Sequence, residues 1–92
     1  MQSIRVEFFG IPRSRAQVPH VDVSVHGESV RLGELFEQLA EQFPQLAAAC
    51  FEGTTLRSTF AANIDGQAFV SDPHYALRAG QSLLLMSADA GG

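Results

Sequence analysis

The chain has no lysine and no tryptophan, and among its 92 residues it has one cysteine and one tyrosine. A single thiol, Cys50, forms no disulfide within the chain, which is the usage of a reducing, cytoplasmic compartment. All six basic residues are arginine. The α-amino group is therefore the only amine, and an activated acyl group on one copy would meet no side-chain amine on another. An arginine-rich, GC-rich source accounts for the same bias. No apolar run approaches the ~20 residues of a membrane span. The N-terminus lacks a basic region followed by a long apolar core, so no secretory leader is read there. The net charge of −4 argues against a nucleic-acid partner. His20, His26 and His74 have no ligand spacing and no neighbouring acid or thiol cluster, so no metal site is expected. Glu34, Glu37 and Glu41 stand at helical spacing and read as a solvated face. Cys50 follows Ala47-Ala48-Ala49 and reads as a buried structural thiol.

What is present is the pattern of a small globular domain, 46% hydrophobic. Ninety-two residues make one domain, which buries somewhat over ~60% of its unfolded surface. Ile4, Val6 and Phe8 alternate with Arg5 and Glu7, a half-buried strand. Gly10, Pro12 and Arg13-Ser14-Arg15 break it. Val21, Val23 and Val25 alternate in a second strand, and His26-Gly27-Glu28-Ser29 reads as a turn. Leu32, Leu35, Phe36, Leu39 and Phe43 then form one helical stripe. Pro44 ends it, and Leu46 to Cys50 add a turn or two. Thr59 to Asp65 is a third strand. Asp65-Gly66 is a tight-turn signal, Gln67 to Val70 a short return strand, and Ser82 to Met86 the last strand.

This order predicts an α+β fold, a mixed sheet of four to five strands with one main helix packed on one face. The run Leu83-Leu84-Leu85-Met86 does not alternate, as suits a central strand that is apolar on both faces. The first and last strands are therefore expected side by side in the middle of the sheet. If Leu83 and Leu85 face the helix, Leu84 and Met86 face away. With Phe9 they are expected to form an exposed apolar patch for a partner, with Arg5 or Arg57 at its rim. The alternative is that the segment from Arg13 to Pro19 covers this patch. The domain is expected to span residues 1–86, followed by a flexible arm, 87–92, whose side-chain-free end is Gly91-Gly92 and whose reactive group is the Gly92 carboxylate.

Several segments together resemble the ubiquitin-like, β-grasp sulfur carriers. They are Leu32-Gly33-Glu34-Leu35-Phe36-Glu37-Gln38-Leu39, Ala62-Asn63-Ile64-Asp65-Gly66-Gln67, Leu77-Arg78-Ala79-Gly80-Gln81-Ser82-Leu83-Leu84-Leu85 and the final Ala90-Gly91-Gly92. That family includes the molybdopterin synthase small subunit, the thiamine sulfur carrier and carriers serving cysteine or other metabolite synthesis. The resemblance covers the whole chain. The hairpin looks like the family's V-N-x-x turn, and Leu77 to Leu83 matches L-x-x-G-D-x-V, with Gln81 replacing the acid. Met86-Ser87-Ala88-Asp89 departs from the Pro-Pro segment common in molybdopterin synthase subunits. Residues 51–60 resemble the longer segment of carriers used in cysteine or specialised-metabolite assembly.

The resemblance implies a β-grasp fold and a carrier rather than an enzyme. A partner adenylyltransferase of the ubiquitin-activating type would join Gly92 to AMP, consuming ATP; no cofactor would be bound by the chain itself. A persulfide or sulfide donor, supplied by a sulfurtransferase, would convert the adenylate to a thiocarboxylate. A sulfur-accepting synthase would then take the sulfur for a metabolite of the cysteine, thiamine or siderophore type. Gly91 and Ala90 would be read by the partners' narrow channels, and Leu84, Met86, Phe9 and Arg57 by their surfaces. Six residues from Ser87 reach at most ~20 Å, enough to enter a partner's active site. Some family members are trimmed to Gly-Gly by a metalloprotease. Rival readings are the molybdopterin synthase small subunit, a ubiquitin-like protein modifier, and a non-covalent interaction domain.

Overall fold

The computed structural model describes residues 2–88. The strands are β1 (Gln2–Phe8), β2 (His20–Val25), β3 (Ser29–Arg31), β4 (Phe51–Glu52), β5 (Thr55–Leu56), β6 (Phe60–Ile64), β7 (Ala68–Val70), β8 (Ala76–Arg78) and β9 (Ser82–Ser87). The helices are α1 (Ile11–Ala16), α2 (Leu32–Gln42) and α3 (Pro44–Cys50).

Five strands form the main sheet in the order β2-β1-β9-β6-β7. The first and last strands lie side by side and parallel, Arg5 to Phe8 against Ser82 to Leu85, and the other pairings are antiparallel. This is the mixed sheet expected from the apolar, non-alternating end of the chain. On the inner face Leu83 lies between Val6 and Ile64, and Leu85 between Phe8 and Ala62. All of these side chains are buried.

The main helix covers that face. Leu32, Leu35, Phe36 and Leu39 are buried, while Glu34, Glu37 and Glu41 stay in solvent. Its first turn is fixed by the Arg31 backbone N–H donating to Glu34 Oε1 at 3.1 Å, a bond that also sets negative charge at the positive end of the helix. Leu46 and Cys50 of α3 complete the core. Phe8 meets Phe43 edge-on with ring centroids 5.6 Å apart, and Phe36 stacks on Phe51 at 4.9 Å, both favourable ring arrangements.

Three features differ from the sequence reading. The segment read as a break after β1 is the short helix α1. Pro12 sits in its first turn, where its missing N–H leaves no bond unmade. Pro12 and Ala16 are buried, and α1 packs against α3 on the helical side of the sheet, so it does not cover the outer face. The residues read as a turn at Ser29 begin β3, which pairs with β8. The segment from Phe51 contains a hairpin, β4–β5. Around it, Leu32 N–H donates to Tyr75 O at 2.8 Å and Gly33 N–H to Pro73 O at 2.9 Å, tying the start of α2 to the loop before β8.

The turn after β6 follows the Asp65-Gly66 signal. Both residues take left-handed backbone, φ 57° and 72°, which glycine adopts without strain and aspartate tolerates. Gln67 N–H closes the turn on Ile64 O at 2.9 Å. Asp65 Oδ1 accepts from Ser82 N–H at 2.8 Å, fastening the turn to the start of β9.

Candidate functional site

β9 carries the chain out of the sheet, and its two neighbours release it at different points. The pairing with β1 ends at Leu85, whose carbonyl accepts from Phe9 N–H at 2.9 Å. The pairing with β6 runs on to Ser87, opposite Phe60, and Ala88 N–H still donates to Thr59 O at 2.8 Å. The sheet therefore holds the backbone two residues past Met86. Ala90, Gly91 and Gly92, which the sequence reading assigns to the chemistry, lie outside the described residues.

The outer face of the sheet is built in rows by the strand registers. One row crosses all five strands in the order His20, Glu7, Leu84, Asn63, Phe69. The next row toward the chain end brings Met86 beside Ala61, with Phe9 at the end of β1. Phe9 is 42% exposed. Leu84 and Met86 are half-buried rather than fully exposed; strands flank Leu84 on both sides, and Met86 on the β6 side. The patch expected from Leu84, Met86 and Phe9 thus occurs on one face, lower in relief than the sequence suggested.

Sequence reasoning missed two of its members. Phe69, on the edge strand, is 70% exposed, the most exposed large apolar side chain among the described residues. Asn63 is 6% exposed, yet its Oδ1 accepts no hydrogen bond. The signal for both lay in the hairpin: a turn at Asp65-Gly66 sets Asn63 and Phe69 facing each other on the side away from the core.

The arginines divide. Arg5 Nε reaches Asp22 Oδ1 at 3.5 Å across the β1–β2 pair, with both side chains about half exposed, a contact worth little by itself. Arg57 does not join the Leu84 row. It lines a cleft of about 320 Å³ beside Phe36, Leu56, Phe60, Ala61 and Phe69. Ala61, cross-strand partner of Met86, links this cleft to the outer face. The Arg57 backbone N–H donates to Cys50 O at 2.8 Å.

Cys50 is fully buried, as its alanine-rich context suggested. Burial raises its thiol pKa, and the charges of Arg15 and Arg57 oppose that shift without cancelling it. It is a packing residue, not a nucleophile poised by its surroundings. His20, His26 and His74 are exposed. Among the described residues, no group of three or more His, Cys, Asp and Glu side chains could hold a metal ion. No helix among them is long and apolar enough to cross a membrane.

No protein-family model and no curated protein matches the sequence. Solved structures do match the fold. The small archaeal modifier protein SAMP1 from Haloferax volcanii superposes with a TM-score of 0.81 at 23% identity, covering 98% of this chain and 99% of its own. A putative molybdopterin converting factor subunit 1 from Pyrococcus furiosus gives 0.76 at 16% identity, over 95% and 98%. A chain of the BexX/CysO complex from Amycolatopsis orientalis gives 0.73 at 16% identity, over 97% and 99%. All three match over nearly their full length. The chain folds as a ubiquitin-like β-grasp domain.

Proposed function

We propose that this domain is a cytoplasmic sulfur carrier whose reacting group is the carboxylate of Gly92. The observation that carries the reading is the exit of the chain from the central strand. The sheet grips the backbone through Ala88, and the four residues after it reach at most ~14 Å. The folded body would dock outside a partner's active site while Gly92 enters it. Neighbours named as a molybdopterin converting factor subunit and as part of a BexX/CysO complex support the same reading.

A carboxylate is ionised at neutral pH and is a poor electrophile. An adenylyltransferase of the ubiquitin-activating type would join one Gly92 oxygen to the α-phosphorus of ATP, with pyrophosphate leaving. Sulfide then attacks the carbonyl, the bond to AMP breaks, AMP leaves, and loss of the thiol proton gives the thiocarboxylate. With a persulfide donor the first product is an acyl disulfide, which a second thiol must reduce. In the synthase the thiocarboxylate sulfur attacks an activated carbon of the acceptor, either displacing a leaving group with its electron pair or adding across a double bond that then takes up a proton, and water cleaves the acyl carbon–sulfur bond to restore the carboxylate. The carrier supplies placement and the partners supply catalysis. Ala90 and Gly91 would be read by the activating channel, and a trimming metalloprotease would serve where the chain is made longer. Cysteine-, thiamine- or siderophore-type synthesis is the expected destination, with molybdopterin synthesis as the alternative.

The likeness to small archaeal modifier proteins favours one second reading. There the activated carbonyl is attacked by a lysine amine of another protein, and the lysine-free chain could be lengthened by its own copies only through the α-amino group. One incubation separates the two. The chain, its adenylyltransferase, ATP and sulfide should give a product with one oxygen of Gly92 replaced by sulfur, read by intact mass. Attachment to lysines of other proteins instead selects the modifier. A chain lacking Gly91 and Gly92 that sustains the biosynthesis as well as the intact one overturns both.

A further inference from the structure

The cleft beside Arg57 arises where neighbouring strands stop at different points. β7 ends at Val70, opposite Ala62, so its ladder does not reach Phe60 and Ala61, which pair with Ser87 and Met86 of β9. Leu56, Arg57 and Ser58 wall the gap, and Phe60 N–H closes the turn there on Arg57 O at 3.0 Å. Buried Phe36 lines the base, and Phe69, 70% exposed, stands at the rim. A mostly apolar recess with a few polar groups is the form that seats an anchoring side chain. The edge strand beside it is unguarded. β2, at the opposite edge, follows Pro19 and carries Asp22, devices that blunt an edge, whereas Ala68-Phe69-Val70 of β7 has neither proline nor charge.

Of the residues lining the cleft, Arg57 alone is charged, and no acid stands in the sequence between Glu52 and Asp65. Arg57 is exposed, and its Nη2 donates to Ala48 O at 3.5 Å. The one ion pair among the described residues is Arg5 with Asp22. A chain of net charge −4 thus keeps an unneutralised cation over an apolar recess. The recess also adjoins the chain's exit, because Thr59, whose carbonyl holds Ala88, lies between Ser58 and Phe60. A protein that receives the residues after Ala88 stands over this corner.

We infer that the cleft is a second docking site, separate from the Leu84 row, which receives an acidic side chain and an adjacent apolar one from a partner protein. The carboxylate pairs with the Arg57 guanidinium, whose planar fork matches it, and the apolar side chain packs against Leu56, Phe60 and Phe69. A single cation suits one carboxylate better than a phosphate, which carries nearly two charges. The inference rests on the carrier reading above, because the partner meant is the adenylyltransferase that loads Gly92.

The test titrates the purified ubiquitin-activating-type adenylyltransferase from the same genome with the carrier, by calorimetry, from about 0.1 to 1 M salt. Arg57→Gln should leave the melting temperature of the free carrier unchanged, weaken the complex about tenfold at low salt and flatten its salt dependence. Ser71→Trp, at an exposed position on the rim, should fill the cleft and weaken the complex by a similar factor at every salt concentration. Arg57→Gln binding as tightly as the parent, or losing the same factor at every salt concentration, overturns the inference, as does a Ser71→Trp carrier that binds like the parent. Such a result leaves the carrier reading standing as long as the parent chain still binds and is loaded. A parent chain that does not bind the enzyme overturns both.

Discussion

Leu83 and Leu84 are adjacent, chemically identical and turned to opposite faces of one strand, so truncating each to alanine separates folding from docking. Leu83 is 0% exposed and lies between Val6 and Ile64 on the helix side. Leu→Ala at such a site costs about 2–5 kcal/mol, from lost transfer energy and the cavity left behind. The whole domain, at 0.05–0.15 kcal/mol per residue, is stabilised by only about 5–14 kcal/mol. At 4–8 °C per kcal/mol for a domain of this size, Leu83→Ala should lower Tm by roughly 8–40 °C. Leu84 is half-buried against the outer face, so about half of a leucine's burial energy is at stake, near 1 kcal/mol. Its Tm should fall by only about 4–8 °C. In the complex the order should reverse. Leu84→Ala should weaken docking by about 1–2 kcal/mol, five- to thirtyfold, whereas Leu83→Ala, measured well below its Tm, should bind like the parent. Thermal unfolding by circular dichroism and titration against the adenylyltransferase give both numbers. Equal stability losses at the two positions would refute the assignment of faces. A folded Leu83→Ala that binds as poorly as Leu84→Ala would refute the docking role of the outer face.

Two further outcomes follow from the packing. Gly33→Ala should be destabilising by about 1–2 kcal/mol although alanine favours helix by up to ~1 kcal/mol. The new Cβ would lie 3.2 Å from Cβ of both Pro73 and Thr54, and 3.3 Å from the Pro73 carbonyl that Gly33 N–H already binds; urea unfolding checks the sign, and a gain in stability would show that this loop yields freely. Burial raises the Cys50 thiol pKa in the folded state, so the fold favours the protonated thiol. Its contribution is full below the ordinary thiol pKa of 9.0 and is lost as pH rises above it. Cys50→Ala should therefore flatten the alkaline fall of stability above that pH, and an unchanged slope in chemical denaturation across pH 8–11 would count against the shift.

The large-scale fold was legible because its long elements repeat cleanly. Val21-Val23-Val25 and Ile4-Val6-Phe8 alternate, the stripe from Leu32 to Leu39 keeps the helical period, and the unbroken run Leu83 to Met86 suits a central strand that is apolar on both faces. The missed pieces are short or disguised. β3, β4, β5 and β8 have two or three residues each, too few for a period to register, and their pairing depends on chain contacts remote in sequence. Pro12 and the paired arginines of α1 look like breakers, yet proline is at home in a first helical turn. The candidate site divides in the same way. Leu84, Met86 and Phe9 follow from strand parity, a local property. Asn63 and Phe69 needed the hairpin register as well as parity, and the burial of an amide on an outward-facing position arises only from side chains on three different strands.

The position of β9 has a mechanical meaning that follows from its two ladders. Up to Leu85 the strand is bonded to β1 on one side and β6 on the other; from Met86 to Ala88 only the β6 side holds it. On the carrier proposal, a partner drawing the chain end farther than its last four residues reach would break the single ladder, one peptide at a time, before it met backbone held on both sides. An edge strand would offer no such step, and a pull at its end could peel it from the sheet. The side chains change over the same residues, from buried Leu85 to half-buried Met86 to exposed Ser87 and Ala88. Backbone restraint and side-chain anchoring thus diminish together toward Ala88 without exposing the core. Lengthening the β1 ladder past Leu85 should cost loading rate rather than stability, because it would withhold backbone from the partner while strengthening the fold.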